Sequence, residues 1–247
     1  MNKWKESELV RSLVGFFLLF LLFVGLFIFV VPSTHQSSKI ADKIKSIKNE
    51  KVTYVAIGDS LTQGVGDSSN QGGFVPVLSQ ALESDFDWQV TSRNYGIAGN
   101  TSNQILKRVQ EKKDIQRDLK KAKVMTLTVG GNDVIHVIKD NITNLNVDTF
   151  TKPAQAYQKR LGQIIELARK DNKTLPIYIV GIYNPFYLNF PEMTEMQTIV
   201  DNWNQSTEEV CKKYDNVYFV PVNDLLYKGI DGKGGVTSSD DTSQSSN

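Results

Sequence analysis

An α/β domain built on a mainly parallel sheet covered on both faces, preceded by one membrane-spanning helix, is the architecture the sequence predicts. Three observations carry that reading. From residue 51 onward, short apolar runs alternate with longer stretches of helical periodicity. Most of those runs are apolar almost without interruption, as strands buried on both faces must be. Residues 13–31 contain no polar side chain at all. A length of 247 residues suits one ordinary domain with appendages, and a net charge of +1 argues against both a basic nucleic-acid binder and an acidic disordered tail. With Cys211 as the one cysteine and His35 and His136 as the two histidines, a zinc cluster and an internal disulfide are excluded. The chemistry must then rest on oxygen nucleophiles, carboxylates and amides, with no metal and no cofactor expected.

Residues 1–12 form a short N-terminal segment. Residues 13–31 (LVGFFLLFLLFVGLFIFVV) would make a helix of ~28 Å, enough to span a bilayer core. A cleaved signal peptide usually has a shorter apolar core and a small-x-small site, whereas Pro32 spoils the only such site here. An uncleaved anchor therefore fits better than a signal peptide, and a buried soluble helix fits least. Lysines and an arginine flank the run on both sides, so charge does not fix the topology. Residues 32–50 read as a polar stalk in which Ile40, Ile44 and Ile47 recur at helical spacing, either as a short amphipathic helix or as a solvated spacer.

Residues 51–228 carry the domain. Five strands are predicted at 52–57 (VTYVAI), 88–95, 124–129 (VMTLTV), 177–182 (IYIVGI) and 217–222 (VYFVPV), most of them rich in β-branched and aromatic residues and each short enough to be a strand. Helices are predicted between them at 73–83, 101–122, 132–141, 153–171 and 192–214. Residues 229–247 are a polar, low-complexity tail, and no internal repeat is visible.

In such a sheet, ligands bind beyond the carboxyl ends of the strands. Three ends carry unusual residues. Gly58-Asp59-Ser60-Leu61-Thr62 follows the first strand, Gly96-Ile97-Ala98-Gly99-Asn100-Thr101-Ser102 the second, and Gly130-Gly131-Asn132-Asp133 the third. A serine hydroxyl in a strand-to-helix turn, a glycine amide and an asparagine NH₂ make a plausible acyl-transfer site. Taken singly, each has a plainer reading: a turn with a helix cap, a loop, or a phosphate cradle, although no lysine stands at P-loop spacing. Asp59 is expected to brace the turn by accepting backbone hydrogen bonds, and Thr62 to support or cap it.

Taken together, and in this order, the three motifs resemble those of the SGNH-hydrolase family of GDSL lipases and esterases over about residues 52–226. The resemblance implies a flavodoxin-like three-layer α/β/α sandwich with Ser60 as nucleophile. It also implies an oxyanion hole formed by the Ser60 amide, the Gly99 amide and the Asn132 side chain. The membrane-anchored, lysophospholipase-like bacterial members look most similar, which implies a single-pass protein of the cell membrane with its domain outside the cell. A lipid or other O-acyl ester is the implied substrate, with the membrane as partner through the N-terminal helix and nucleic acid excluded.

Four aromatics in residues 183–191 would either grip an acyl group or pack a lid. The basic stretch 107–123 would be a solvated face or, less simply, a membrane contact. The family's base lies in an Asp-x-x-His block after the fifth strand, where this chain has Asn223-Asp224-Leu225-Leu226-Tyr227-Lys228 and then the tail. The expectation is a truncated esterase whose last block and covering helix are missing; the alternative is a membrane-anchored binding module that has lost catalysis. His136 and His35 are both poorly placed to substitute as base, and the oligomeric state is left open.

Overall fold

The computed structural model describes residues 50–141, 143–185, 187 and 194–228. The predicted anchor and stalk, most of 186–193 and the tail lie outside these residues. Among the described residues, no helix is long and apolar enough to cross a membrane.

Five strands form one sheet: β1 (Lys51–Gly58), β2 (Gln89–Gly96), β3 (Ala122–Thr128), β4 (Ile177–Val180) and β5 (Val217–Val220), in the order β2-β1-β3-β4-β5. Every neighbouring pair is parallel. This is the doubly wound order in which chain connections diverge between β1 and β3, leaving a crevice beyond their carboxyl ends.

The strands alternate as their sequence dictates. On β1, Val55 and Ile57 face one side and Tyr54 and Ala56 the other, and all four are completely buried. The Val55 side joins Met125, Leu127, Ile177 and Ile179 in the main core. That core is closed by α3 (Ser102–Glu111), α4 (Lys113–Lys121), α6 (Thr151–Ala168) and α7 (Thr194–Cys211). The Tyr54 side forms a smaller cluster with Val75, Phe74, Leu78 and Leu82 of α2 (Phe74–Phe86). Helices thus lie on both faces, in three layers. Over β4 and β5 the α2 face carries Tyr178 and Tyr218, stacked with ring centroids 5.1 Å apart and both partly exposed.

Two local expectations need correcting. The predicted helix 101–122 is two helices, broken where Lys112 adopts an extended conformation (φ −85°, ψ 111°). Its apolar residues explain the break. Ile105 and Val109 share one face, but Ile115 would lie about 120° from Val109 and about 80° from Ile105 in a continuous helix. Restarting the helix at Lys113 turns Ile115 and Leu119 inward, where both are buried. The fifth strand ends at Val220 rather than 222, and Asn223–Lys228 forms a short helix, α8, opened by the Leu226 amide donating to the Val222 carbonyl. β2 is a mostly exposed edge strand, which is why its sequence, QVTSRNYG, is polar where the central strands are not.

Candidate active site

Ser60 opens α1 (Ser60–Gln63), a single turn that leaves β1. Asp59 caps it by accepting the Leu61 amide at 3.1 Å, and Gly64 ends it in a left-handed conformation (φ +90°) with its amide on the Ser60 carbonyl. A Cβ on Gly64 would run into the backbone of Gly72 and Gly73, so a tight double glycine contact closes the loop behind the serine. That loop is tied by Asp67, whose carboxylate accepts the amides of Ser69, Gln71, Gly72 and Gly73. The Ser69 hydroxyl and these amides hold the Asp67 carboxyl well below the usual carboxylate range.

Beneath the turn lies a buried polar cluster. The Thr62 hydroxyl lies 3.3 Å from the Ile57 carbonyl and 2.8 Å from the Thr128 hydroxyl. Thr128 donates to Asp59 at 2.8 Å and accepts the Asp59 amide. Burial pushes the Asp59 carboxyl up, against the opposing pull of the Thr128 hydroxyl and the Leu61 amide. Asp59 is therefore engaged below the turn as a brace, as its sequence position suggests.

Gly99 lies in the loop between β2 and α3 at φ +78°, and a Cβ there would meet nothing within 4 Å. The glycine is required by backbone conformation, and the space in front of it is open. This loop is held against the serine turn at several points. The Ile97 amide donates to the Gly58 carbonyl at 3.1 Å, the Ala98 amide to Gln63 Oε1 at 2.6 Å, and Asn94 Nδ2 to the Thr62 carbonyl at 2.7 Å.

Asn132 is the second residue of α5 (Gly131–Asp140). Its Nδ2 donates to the Asn100 carbonyl at 3.0 Å, which brings the third motif onto the second. Because β1 lies between β2 and β3 in a parallel sheet, Ser60, Gly99 and Asn132 all sit at one end of three adjacent strands. His136 is exposed one turn further along α5, with Nδ1 at 2.9 Å from the Asn132 carbonyl. A cavity of about 400 Å³ beside it is lined by Thr101, Asp133, His136, Arg160 and Trp203, while Ser60 and Gly99 do not line it. Among the described residues, no cluster of three or more His, Cys, Asp or Glu could hold a metal ion.

Several supporting residues have no sequence signal strong enough to mark them. Arg108 of α3 donates from its two terminal nitrogens to the carbonyls of Gly58 and Tyr95, gripping the ends of β1 and β2 beneath the site. Gln63 and Thr128 lie outside the three motifs or at their margins, and only the fold brings them in. Asp133 stands inside the third motif, yet its partners, Ser102 and Arg160, are 31 and 27 residues away.

A family model described as the GDSL-like lipase/acylhydrolase family matches residues 56–241. The uncharacterized protein YpmR of Bacillus subtilis is 33% identical over 78% of this chain and 76% of its own length. The spore germination lipase LipC of Bacillus licheniformis is 30% identical over 71% of this chain and 82% of its own. Among solved structures, the lipase Lip_vut3 from a goat rumen metagenome shares the fold at a TM-score of 0.63, with 22% identity over 71% of this chain and 82% of that one. An acetyl xylan esterase, AlAXEase, does so at 0.51, with 18% identity over 72% and 81%. A match that takes in the Gly-Asp-Ser turn, both loops that close on it and the sheet that supports them admits one assignment: this chain belongs to the GDSL-like lipase/acylhydrolase family.

Proposed function

We propose that the protein is a serine acyl hydrolase, anchored in the cell membrane by residues 13–31 with its domain outside the cell, that cleaves ester bonds of lipids or other O-acyl compounds through Ser60. The observation that carries this reading is the convergence of Ser60, Gly99 and Asn132 at three adjacent parallel strand ends. The Ser60 oxygen attacks the ester carbonyl and its proton passes to a base. The carbonyl electron pair moves onto oxygen, where the amides of Ser60 and Gly99 and the Asn132 NH₂ receive it. Collapse expels the alcohol, and water then releases the acid from acyl-Ser60. Asn132 adds a donor without adding charge. The membrane-anchored, lysophospholipase-like branch of the family is the finer assignment, supported by the unbroken apolar run at 13–31 and by the similarity to a lipase.

His35 and His136 are the only imidazoles in the sequence, and His136 is turned to solvent beside Asn132. A covalent probe tests the nucleophile separately from turnover. Incubation with an alkyl fluorophosphonate should add one phosphonyl group, located at Ser60 by peptide mass spectrometry. Ser60→Ala should take up none, and Asn132→Ala should react roughly a hundredfold more slowly, as expected for one oxyanion donor. An adduct elsewhere, or none, would favour the membrane-anchored binding module instead. Carbonate extraction and protease shaving of intact cells test the anchor and its topology; recovery of the full chain in the soluble fraction would refute them.

A further inference from the structure

Asp133 follows Asn132 directly and is almost completely buried. Its carboxylate is fully engaged. The Ser102 amide donates to Oδ2 at 2.8 Å, the Ser102 hydroxyl to Oδ1 at 2.6 Å, and Arg160 Nη2 to Oδ1 at 3.2 Å. Arg160 closes the group by donating from Nε to the Ser102 hydroxyl oxygen at 2.7 Å. Ser102 is wholly buried and is the first residue of α3, so its amide is one of the donors a helix cannot satisfy internally. A carboxylate on α5 thus caps α3 from outside, placing negative charge at its positive end.

The consequence is geometric. Ser102 stands three residues after Gly99, and Asp133 stands one residue after Asn132. The same two segments meet a second time through Asn132 Nδ2 and the Asn100 carbonyl. We propose that Asp133, backed by Arg160, is a positioning residue that fixes the separation of the Gly99 amide and the Asn132 side chain. This rests on the reading of those two groups as oxyanion donors for Ser60. The charge is what qualifies Asp133. Three donors converge on its two oxygens, and an amide in its place would turn an NH₂ toward at least one of them and leave Arg160 without its counter-ion. The loop before α3 would then settle elsewhere, and the two donors would no longer point at one oxygen.

The rate of Ser60 phosphonylation by an alkyl fluorophosphonate, measured on the full chain in detergent, reads this directly. The Ser60 oxygen forms a bond to phosphorus as fluoride leaves and the proton passes to solvent, and negative charge gathers on the phosphoryl oxygen. Asp133→Asn should slow labelling at least tenfold, while the final stoichiometry stays at one per chain. A merely structural residue would give the opposite split, a lower stoichiometry at the wild-type rate, and that result would overturn the proposal. If circular dichroism shows Asp133→Asn to be unfolded, Arg160→Lys decides. It keeps the charge, loses the paired donation to Ser102 and Asp133, and should label several-fold more slowly at full stoichiometry; a wild-type rate overturns the proposal. Labelling that persists in Ser60→Ala would instead refute the serine reading itself, an outcome distinct from an unchanged rate in the Asp133 variant.

Discussion

The hydroxyls of Thr62 and Thr128 lie 2.8 Å apart, joining the helical turn that begins with Ser60 to the last residue of β3. Each hydroxyl has one proton to give. Thr128 gives its proton to Asp59 and accepts the Asp59 amide, so Thr62 supplies the proton between the two threonines, and its 3.3 Å approach to the Ile57 carbonyl is the weaker alternative. The nucleophile turn is thereby pinned to the strand that leads, four residues on, to Asn132.

Thr128→Val keeps the shape and removes the hydroxyl. The Asp59 carboxylate, which is buried, would retain the Leu61 amide and lose its side-chain donor, while its own amide would lose an acceptor. An unpaired buried polar group costs about 1–3 kcal/mol. Urea unfolding should show a loss in that range, and Ser60 labelling should slow with it.

Two glycines near Ser60 should respond differently to alanine. At Gly96, an added Cβ would fall on the backbone of Thr62 and Gln63, where neither partner can yield, since β2 is held in register with β1 through Gly58 and Gly96. At Gly99 there is open space, and only the left-handed backbone objects, at a cost of about 1–2 kcal/mol. Gly96→Ala should therefore lower the thermal midpoint clearly more than Gly99→Ala. The Gly99 variant should show its larger effect in the rate of Ser60 labelling, because its amide is the group that moves.

What the sequence made legible follows from the range of each signal. Apolar runs and helical periodicity are local, so the five strands, and the helices between them apart from the break in 101–122, are legible to within a few residues. The three strand-end motifs are also local, and the parallel order brings them together. The break at Lys112 was also written locally, in the phase jump from Val109 to Ile115, but it shows only once those residues are known to share a core. The contacts of Arg108 with Gly58 and of Asp133 with Ser102 span 50 and 31 residues, and nothing local records them. The polarity of β2 becomes intelligible only when the sheet order puts it at an edge.

Alkaline pH should destabilise the domain. Burial raises the Cys211 thiol from 9.0 to about 11, and burial raises the Tyr54 phenol from 10.0 to about 12 against the opposing hydrogen bond to Thr126. Both groups have higher values folded than unfolded. Their contribution is fully present below the unfolded values and is lost as pH rises through the folded ones. Urea midpoints should be insensitive to these two groups below about pH 9 and fall between there and about pH 12. Cys211→Ala should soften the lower part of that fall and Tyr54→Phe the upper part. In the folded protein Cys211 should resist thiol reagents until urea exposes it.

His136 should prove dispensable to the chemistry. Its Nδ1 is 2.9 Å from the Asn132 carbonyl, an oxygen that can only accept, so Nδ1 is the donor in that contact. A base for Ser60 needs a ring lone pair at hydrogen-bond range of the serine hydroxyl, with a carboxylate on the far nitrogen to orient the ring and stabilise the imidazolium. Here the far nitrogen is occupied by a neutral carbonyl of its own helix, and the ring is exposed beside the cavity lined by Thr101 and Arg160 rather than set beneath the serine turn. His136→Ala should leave the rate of Ser60 phosphonylation within about twofold of wild type and the residual hydrolysis of a short acyl ester equally unchanged. The pH dependence of Ser60 labelling should likewise be the same in His136→Ala as in the wild type. A sigmoidal rise near neutral pH that vanishes in His136→Ala would show that this ring does reach Ser60.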